Sequence, residues 1–264
     1  MEIMNNKKLS IVIMAAGRGT RMNSELPKVL HRLSGETLLN HVIATAEKLT
    51  PENIVTVVGH EAQMVKDSVN NNDILFSMQK DQKGTGHAVM QTQNHLENFD
   101  GNTLVLSGDV PLISKDTLHS LIVKHEINNY DATMLTAEIN NPTGYGRVIR
   151  DNKNNLKYVC EHKDCNEQEL EINEINSGIY VFNNKLLFDL LPKLDNNNAQ
   201  AEYYLPDVLT LIVNSNGNVG LKRTSDFIEI QGINTLKQLS ELEKEYTDNE
   251  YQRKRSGIDG TTDT

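Results

Sequence analysis

Cysteine is scarce in this chain of 264 residues: Cys160 and Cys165 are the only two, and they lack a C-x-x-C spacing. A disulfide framework is thereby excluded, and the pair reads as two ordinary thiols in a reducing cytoplasm. Long apolar runs are also missing. Apolar residues make up 38% of the chain, and no run approaches the ~18 uncharged apolar residues that a membrane span needs. The short run Ile11–Ala16 ends in Gly-Arg-Gly rather than a cleavage site, so it reads as a strand and not a signal peptide. No Lys/Arg-rich block precedes the C-terminal stretch, and the formal net charge is −10. Duplex binding needs a basic face to neutralise phosphates, so nucleic acid is excluded as a partner. A small anionic substrate is not, because a few placed cations can dominate a local field. No internal repeat is present.

What is there alternates. Strands are expected at Ser10–Ala15, Ile54–Val58, Ile74–Gln79 and Thr103–Ser107. A helix from Gly35 to Leu49 carries Leu38, Leu39, Val42, Ile43, Ala46 and Leu49 at the 3.6-residue period, with Pro51 closing it. Further helices are expected over Gly86–Leu96 and Lys115–Glu126, the latter capped by Ser114. This order predicts an α/β fold with a doubly wound, mostly parallel mixed sheet. From Tyr130 on, short β-like runs (Ala132–Glu138, Arg147–Arg150, Leu156–Glu161, Gly178–Phe182) follow one another between Asn/Gly/Pro-rich turns. They read as an antiparallel β insertion, a lid or second subdomain, with a return to the sheet near Ile228–Gln231. A last helix, Leu236–Tyr246, leads to a polar end. The expected division is a domain over 1–250 and a disordered tail over 251–264, nearly free of apolar residues from Gln252 onward.

The sharpest local feature is AAGRGTRM, Ala15–Met22, directly after the first strand and followed by Pro27-Lys28. Small residues there let backbone N–H groups approach an anion, and Gly17 and Gly19 can adopt positive φ. Arg18, Arg21 and Lys28 surround the same turn. Three cations at a strand's carboxyl end suit a triphosphate, and open α/β sheets bind ligands at that end. A P-loop would need G-x-x-x-x-G-K-S/T, which is absent. A dinucleotide fingerprint would need a third small residue where Met22 stands. Asp109 follows the strand Thr103–Ser107. A carboxylate so placed suits Mg²⁺, which takes one or two protein oxygens and fills its shell with phosphate and water. Gln79 offers a donor and an acceptor, but read alone it is a polar strand-end residue. Asn234, read alone, is the N-cap of a helix starting at Thr235.

The string G-x-G-T-R, a spacer, then P-K resembles the nucleotide-sugar pyrophosphorylases. The longer AAGRGTRM…LPKVLH resembles the uridylyltransferase half of the bacterial bifunctional N-acetylglucosamine-1-phosphate uridylyltransferase/glucosamine-1-phosphate acetyltransferase family. The likeness continues in order through MQKDQKGTGHA, SGDVPLI, NPTGYGRV, EHKD with EINSGIY, NNNAQAEYYLPD and EIQGIN, and covers about residues 9–245. It implies a Rossmann-like nucleotide-diphospho-sugar transferase fold with the insertion on the sugar side. It implies UTP and N-acetylglucosamine 1-phosphate as substrates and Mg²⁺ as cofactor, held by Asp109 and Asn234. Met14, Ala15, Ala16 and Gly17 would cradle the nucleotide, with Gln79, Gly84 and Thr85 on uridine. Gly146, Glu161 and Asn176 would bind the sugar. Ser107 and Gly108 complete the Gly-Asp strand end, with Ser107 standing where some relatives carry tyrosine. Tyr203 and Tyr204 are read either as pocket walls or as core. His87 and His162 receive no proton-transfer role. No hexapeptide-repeat periodicity follows, so acetyl transfer is not expected. The oligomeric state is left open.

The expected chemistry is attack by the sugar phosphate on the α-phosphorus of UTP. A phosphate monoester has its second pKa near ~6, so the nucleophile needs no general base at neutral pH. Charge is the obstacle, and Arg21 and Lys28 are the expected catalytic groups.

Overall fold

The computed structural model describes residues 7–255. Eleven strands occur among them: β1 (Leu9–Met14), a two-strand ribbon of β2 (Arg32–Leu33) and β3 (Glu36–Thr37), β4 (Asn53–Val58), β5 (Leu75–Met78), β6 (Asn102–Ser107), β7 (Ala132–Glu138), β8 (Arg147–Arg150), β9 (Leu156–Cys160), β10 (Glu174–Asn183) and β11 (Val219–Arg223). The helices are α1 (Leu38–Glu47), α2 (Ala62–Asp67), α3 (Thr85–Met90), α4 (Gln93–Leu96), α5 (Lys115–Ile127), α6 (Glu167–Leu170), α7 (Asn184–Leu190), α8 (Asp207–Asn214) and α9 (Leu236–Arg255).

Nine strands form one mixed sheet, ordered β11-β7-β10-β6-β1-β4-β5, with β8 and β9 attached beside β10. Strands β6, β1, β4 and β5 run parallel, as β11 does to β7, while β10 is antiparallel to β6, β7 and β8. Side chains on β1 alternate between the two faces. Ile11 and Ile13 pack with Leu39, Val42 and Ile43 of α1 and Leu118 and Leu121 of α5. Val12 packs the other way, with Ala88 and Val89 of α3, Leu187 of α7 and Val208, Leu209 and Ile212 of α8. Both faces of the sheet are covered, so its central strands are apolar throughout, as a buried parallel sheet requires.

Several expectations are corrected. The antiparallel region after Tyr130 is built into the main sheet rather than forming a lid or second subdomain: β7 and the ten-residue β10 belong to that sheet, and the β8–β9 hairpin branches from it through β10. The chain returns to the sheet at β11, not at Ile228–Gln231, where Ile228–Ile230 is a single 3₁₀ turn. The stretch VGLKR gives little apolar signal because β11 is an edge strand paired on one side. The helix expected over Gly86–Leu96 is two short ones, α3 and α4. Between them the buried Thr92 hydroxyl donates to Val89 O at 2.7 Å, and such back-bonding competes with a continuous helix. Helix α1 starts at Leu38, after a turn with Ser34 at φ 48° and Gly35 at φ 89°, and its cap is Thr37, whose hydroxyl accepts from Asn40 N. Helix α9 runs to Arg255, past Gln252 where the polar tail is expected to begin; residues 256–264 of that tail lie outside the described ones. No helix among the described residues is long and apolar enough to cross a membrane.

Candidate active site

The parallel strands lie in the order β6-β1-β4-β5, and the loops leaving β1, β5 and β6 build one cleft of about 270 Å³. Met14, Ala15, Ala16, Gly17, Lys28, Gln79, Gly84, Thr85, Ser107 and Asp109, all expected site residues, line it together. Backbone bonds fix the loop ends: Ala15 N donates to Val57 O at 2.8 Å, Gln79 N to Val58 O at 2.8 Å, and Gly108 N to Met14 O at 2.9 Å. Gly108 itself lies beneath the cleft, where a Cβ would meet Met14 O at 3.2 Å.

Two glycines have specific reasons. Gly19 sits at φ 61°, and a Cβ there would lie 2.5 Å from Lys28 Cβ, so only glycine lets the loop close on the lysine. Gly84 sits at φ 102°, with Tyr203 O 2.6 Å from the place of a Cβ. That close approach brings the 202–205 segment against the start of α3, where Gly86 N donates to Tyr203 O and Tyr203 N to Lys83 O, both at 2.8 Å. Tyr203 packs in the core beneath α3, and Tyr204 is buried with its hydroxyl donating to Asp164 Oδ2 at 3.2 Å. Neither ring lines the cleft.

Gln79 is only 3% exposed. Its Nε2 donates to Gly84 O at 3.0 Å and lies 3.1 Å from His87 Nδ1, which fixes the amide where it lines the cleft. Burial, and then the charge of Lys83, lower the His87 pKa, so the ring is neutral and able to accept this bond. His87 therefore orients Gln79, a role its sequence position did not disclose.

A second hollow of about 190 Å³ adjoins the first and shares Met14, Thr85 and Ser107 with it. Gly146, Glu161 and Asn176 line it, as expected, together with Tyr145, Gly178 and Tyr180, which were not anticipated. Asn176 Oδ1 accepts from Gly178 N and from the Tyr180 hydroxyl, each at 2.9 Å, leaving Nδ2 to face the hollow. Gly146 lies against Glu161, since a Cβ would sit 3.1 Å from Glu161 Oε1. Burial, then the charges of Asp207, Asp164 and Glu202, push the Glu161 pKa up to about 7. The loop 142–146 is tied by Arg147, only 2% exposed, whose Nη1 donates to Pro142 O at 2.6 Å and to Tyr145 O.

A charged knot borders the first hollow, whose lining includes Lys28 and Asp109. Lys28 Nζ donates to Asp109 Oδ2 and, at 2.9 Å, to Asn234 Oδ1. Arg21 Nη2 donates to the same Asn234 oxygen at 2.8 Å. Arg21 and Asn234 thus join the site through Lys28 rather than through the cleft wall. Arg18 does not join: its Nε donates to Gln82 Oε1 at 3.3 Å on the exposed rim. Asn234 is not the helix cap. Thr235 caps α9, its hydroxyl accepting from Gln238 N at 3.1 Å, while Gln238 Oε1 accepts from Thr235 N at 3.1 Å and Asn234 N at 2.8 Å. Ile233 N donates to Asp109 O at 2.9 Å, which holds the Asn234 loop against the Asp109 loop.

Residues 11–168 match the MobA-like NTP transferase domain. The chain belongs to that family. The bifunctional protein GlmU of Staphylococcus carnosus (strain TM300) is 46% identical over 233 residues, 88% of this chain and 51% of that protein. The bifunctional protein GlmU of Alkaliphilus metalliredigens (strain QYMF) is 46% identical over 237 residues, 90% of this chain and 52% of that protein. The NTP transferase chain thus spans about half the length of the curated relatives it matches. A crystal structure of UDP-glucose pyrophosphorylase complexed with UDP-glucose superposes with a TM-score of 0.74 at 17% identity, covering 92% of this chain and 99% of that one, and shares the fold. NTP transferases of this kind work with a divalent metal. The donors here fit a hard cation: the Asp109 carboxylate and the Asn234 amide oxygen converge on one point, now taken by the Lys28 ammonium.

Proposed function

We propose that the chain transfers the uridylyl group of UTP to N-acetyl-α-D-glucosamine 1-phosphate, releasing pyrophosphate. The observation that carries this reading is the pair of adjoining hollows, with Lys28 and Asp109 of the Lys28–Asp109–Asn234 knot in the wall of the first. One hollow offers an oriented amide and a tight glycine turn for a base; the other offers a carboxylate and an amide for a sugar. The ordered motifs shared with the uridylyltransferase family, and the GlmU relatives, support the choice of substrates.

The fit of the oxygens supports Mg²⁺ at Asp109 and Asn234, where it would neutralise phosphate oxygens and orient them. With a divalent cation on Asp109 and Asn234, the Lys28 ammonium would be free to serve the transferring phosphates. Arg21 stays anchored by its bond to Asn234 while offering its remaining N–H groups to the leaving pyrophosphate. Ala16 and Gly17 present backbone donors to the phosphate chain, the Ala15 N–H being held by Val57 O. The attacking phosphate is already anionic at neutral pH, so no side chain need remove a proton. Asn176 Nδ2 and Glu161 hold the sugar so that its phosphate points at the shared wall.

Pyrophosphate release from UTP tests this with either N-acetylglucosamine 1-phosphate or glucose 1-phosphate. Strong release with the acetylated sugar alone supports the reading. Preference for glucose 1-phosphate overturns the substrate, and UTP binding without release from either overturns the activity.

Glu161 supplies a pH test. With its pKa near 7, the free protein carries a neutral Glu161 at lower pH, and a neutral carboxyl accepts sugar hydroxyls poorly. The kcat/KM for the sugar phosphate is expected to fall up to about tenfold per pH unit below 7. Glu161→Gln should start low and lose that acid limb, while KM for UTP stays unchanged in both proteins. An acid limb of equal size in Glu161→Gln would assign it to the substrate phosphate instead.

A further inference from the structure

Strand β9 ends at Cys160, and the turn carrying Glu161 brings Cys165 back beside it. Cys165 N donates to Glu161 O at 3.1 Å, and the Cys165 thiol donates to Cys160 O at 3.2 Å. Helix α6 follows at once, and its capping box fixes Glu169: Glu169 N donates to Asn166 Oδ1 at 3.0 Å, and Asn166 N to Glu169 Oε2 at 2.8 Å. The result is a cluster unrelated to the nucleotide chemistry. The two sulfurs and a Glu169 oxygen all lie within 4.8 Å of one another, and this is the only such group of three among the described residues.

We propose that Cys160, Cys165 and Glu169 form a site for a thiophilic divalent cation of the Zn²⁺ class, with water as the fourth ligand. Tetrahedral zinc with Zn–S of about 2.3 Å and Zn–O of about 2.0–2.2 Å has ligand–ligand edges of about 3.6–3.8 Å. The Cys160 Sγ to Glu169 Oε2 separation is already 3.5 Å. A helix cap alone does not require two sulfurs around its carboxylate. The Tyr158 hydroxyl donates to the other oxygen, Oε1, as groups around a metal-bound carboxylate commonly do. Cys160 is buried while Cys165 is half-buried, which gives an entry path from the Cys165 side.

An ordinary thiol is protonated at neutral pH, so without metal both cysteines carry S–H. The cation therefore replaces two S–H protons, forming two metal–sulfur bonds and releasing two protons to solvent. The oxygen pair Asp109 and Asn234 selects a hard cation, so the two sites sort metals by ligand softness. A cation held here ties both ends of the turn that carries Glu161.

Titration of the reduced full chain with Co²⁺ tests the proposal. The expected result is a thiolate-to-cobalt charge-transfer band with strong tetrahedral visible bands, saturating at one ion per chain and lost on adding Zn²⁺. Two protons should be released per ion. Cys160→Ser and Cys165→Ser should each abolish the charge-transfer band, and Glu169→Gln should weaken binding at least about tenfold. Asp109→Asn should leave the band intact, which separates this site from the other. A wild-type chain giving only weak, octahedral cobalt bands overturns the proposal, as does a charge-transfer band that survives both cysteine changes. Should Cys160→Ser fail to fold, Cys165→Ser and Cys165→Ala at the half-buried position decide the matter.

Discussion

Replacing Lys28 by alanine is expected to lower the rate of pyrophosphate release by about 10²–10³ at saturating substrates, the loss usual when one preorganised charge-stabilising group is removed. The size follows from where the ammonium sits. The Lys28 and Asp109 side chains are 16% and 17% exposed, so the charge acts in a partly dry cleft where Coulomb terms are screened less than in water. Its position is over-determined: Gly19 packs against Lys28 Cβ, Pro27 precedes it, and Val29 and Leu30 anchor the turn in the core. Those apolar anchors are untouched by the change, so the circular dichroism spectrum should hardly move. Lys28→Arg should recover little, because the close approach of Gly19 leaves no room to re-aim a longer, planar group. A rate within about threefold of wild type in Lys28→Ala would remove Lys28 from the transfer step and leave only its contact with Asp109.

The same lysine shows what was legible in the chain beforehand. Cations, glycines and a carboxylate at the ends of apolar runs identify themselves, because strand period and turn chemistry are local properties. So Lys28, Asp109, Gln79 and the Ala15–Gly17 loop came together as expected, and Asn176 and Glu161 met in the adjoining hollow. Arg18 was misread because sequence proximity to a loop does not set the direction of a long side chain. Contacts made across sequence distance were invisible. Nothing local tells that Ile233 N holds to Asp109 O or that the 202–205 segment backs Gly84. The β7–β10 region was expected to be antiparallel, and only its reading as a lid or second subdomain failed, for a related reason. An antiparallel strand with apolar residues on both faces has the same composition in a separate subdomain as in a central sheet, and only its partners distinguish them.

Glu174→Ala is expected to cost roughly 3 kcal/mol of stability, the lower end for breaking a buried ion pair, because Arg150 keeps 24% exposure while Glu174 keeps 8%. At about 2–4 °C per kcal/mol for a domain of this size, the melting temperature should drop by about 6–12 °C. Glu174 earns this weight by joining three strands. From the start of β10 its Oε2 accepts from Arg150 Nε and its Oε1 from Arg150 Nη2, both at 2.7 Å, at the end of β8. Oε1 also accepts from the Thr136 hydroxyl of β7 at 2.8 Å. Burial pushes the carboxyl pKa up, but the Arg150 pair and the Thr136 bond outweigh it and hold the value below the ordinary glutamate range. A lowered folded-state pKa stabilises the fold above the unfolded value of about 4.3, and that stabilisation is lost as pH falls through the folded one. The gap in melting temperature between wild type and Glu174→Ala should therefore be full at pH 7 and narrow steadily below about pH 4. Asn176 lies two residues along the same strand, where the β10–β7 register shifts between Asn176 and Tyr180. Loosening the Glu174 clamp should thus raise KM for the sugar phosphate more than KM for UTP, whose cleft is built from β1, β5 and β6. A pH-independent gap would show that the arginine pair contributes packing rather than charge, and equal changes in both KM values would show that the clamp supports the whole sheet rather than the sugar side.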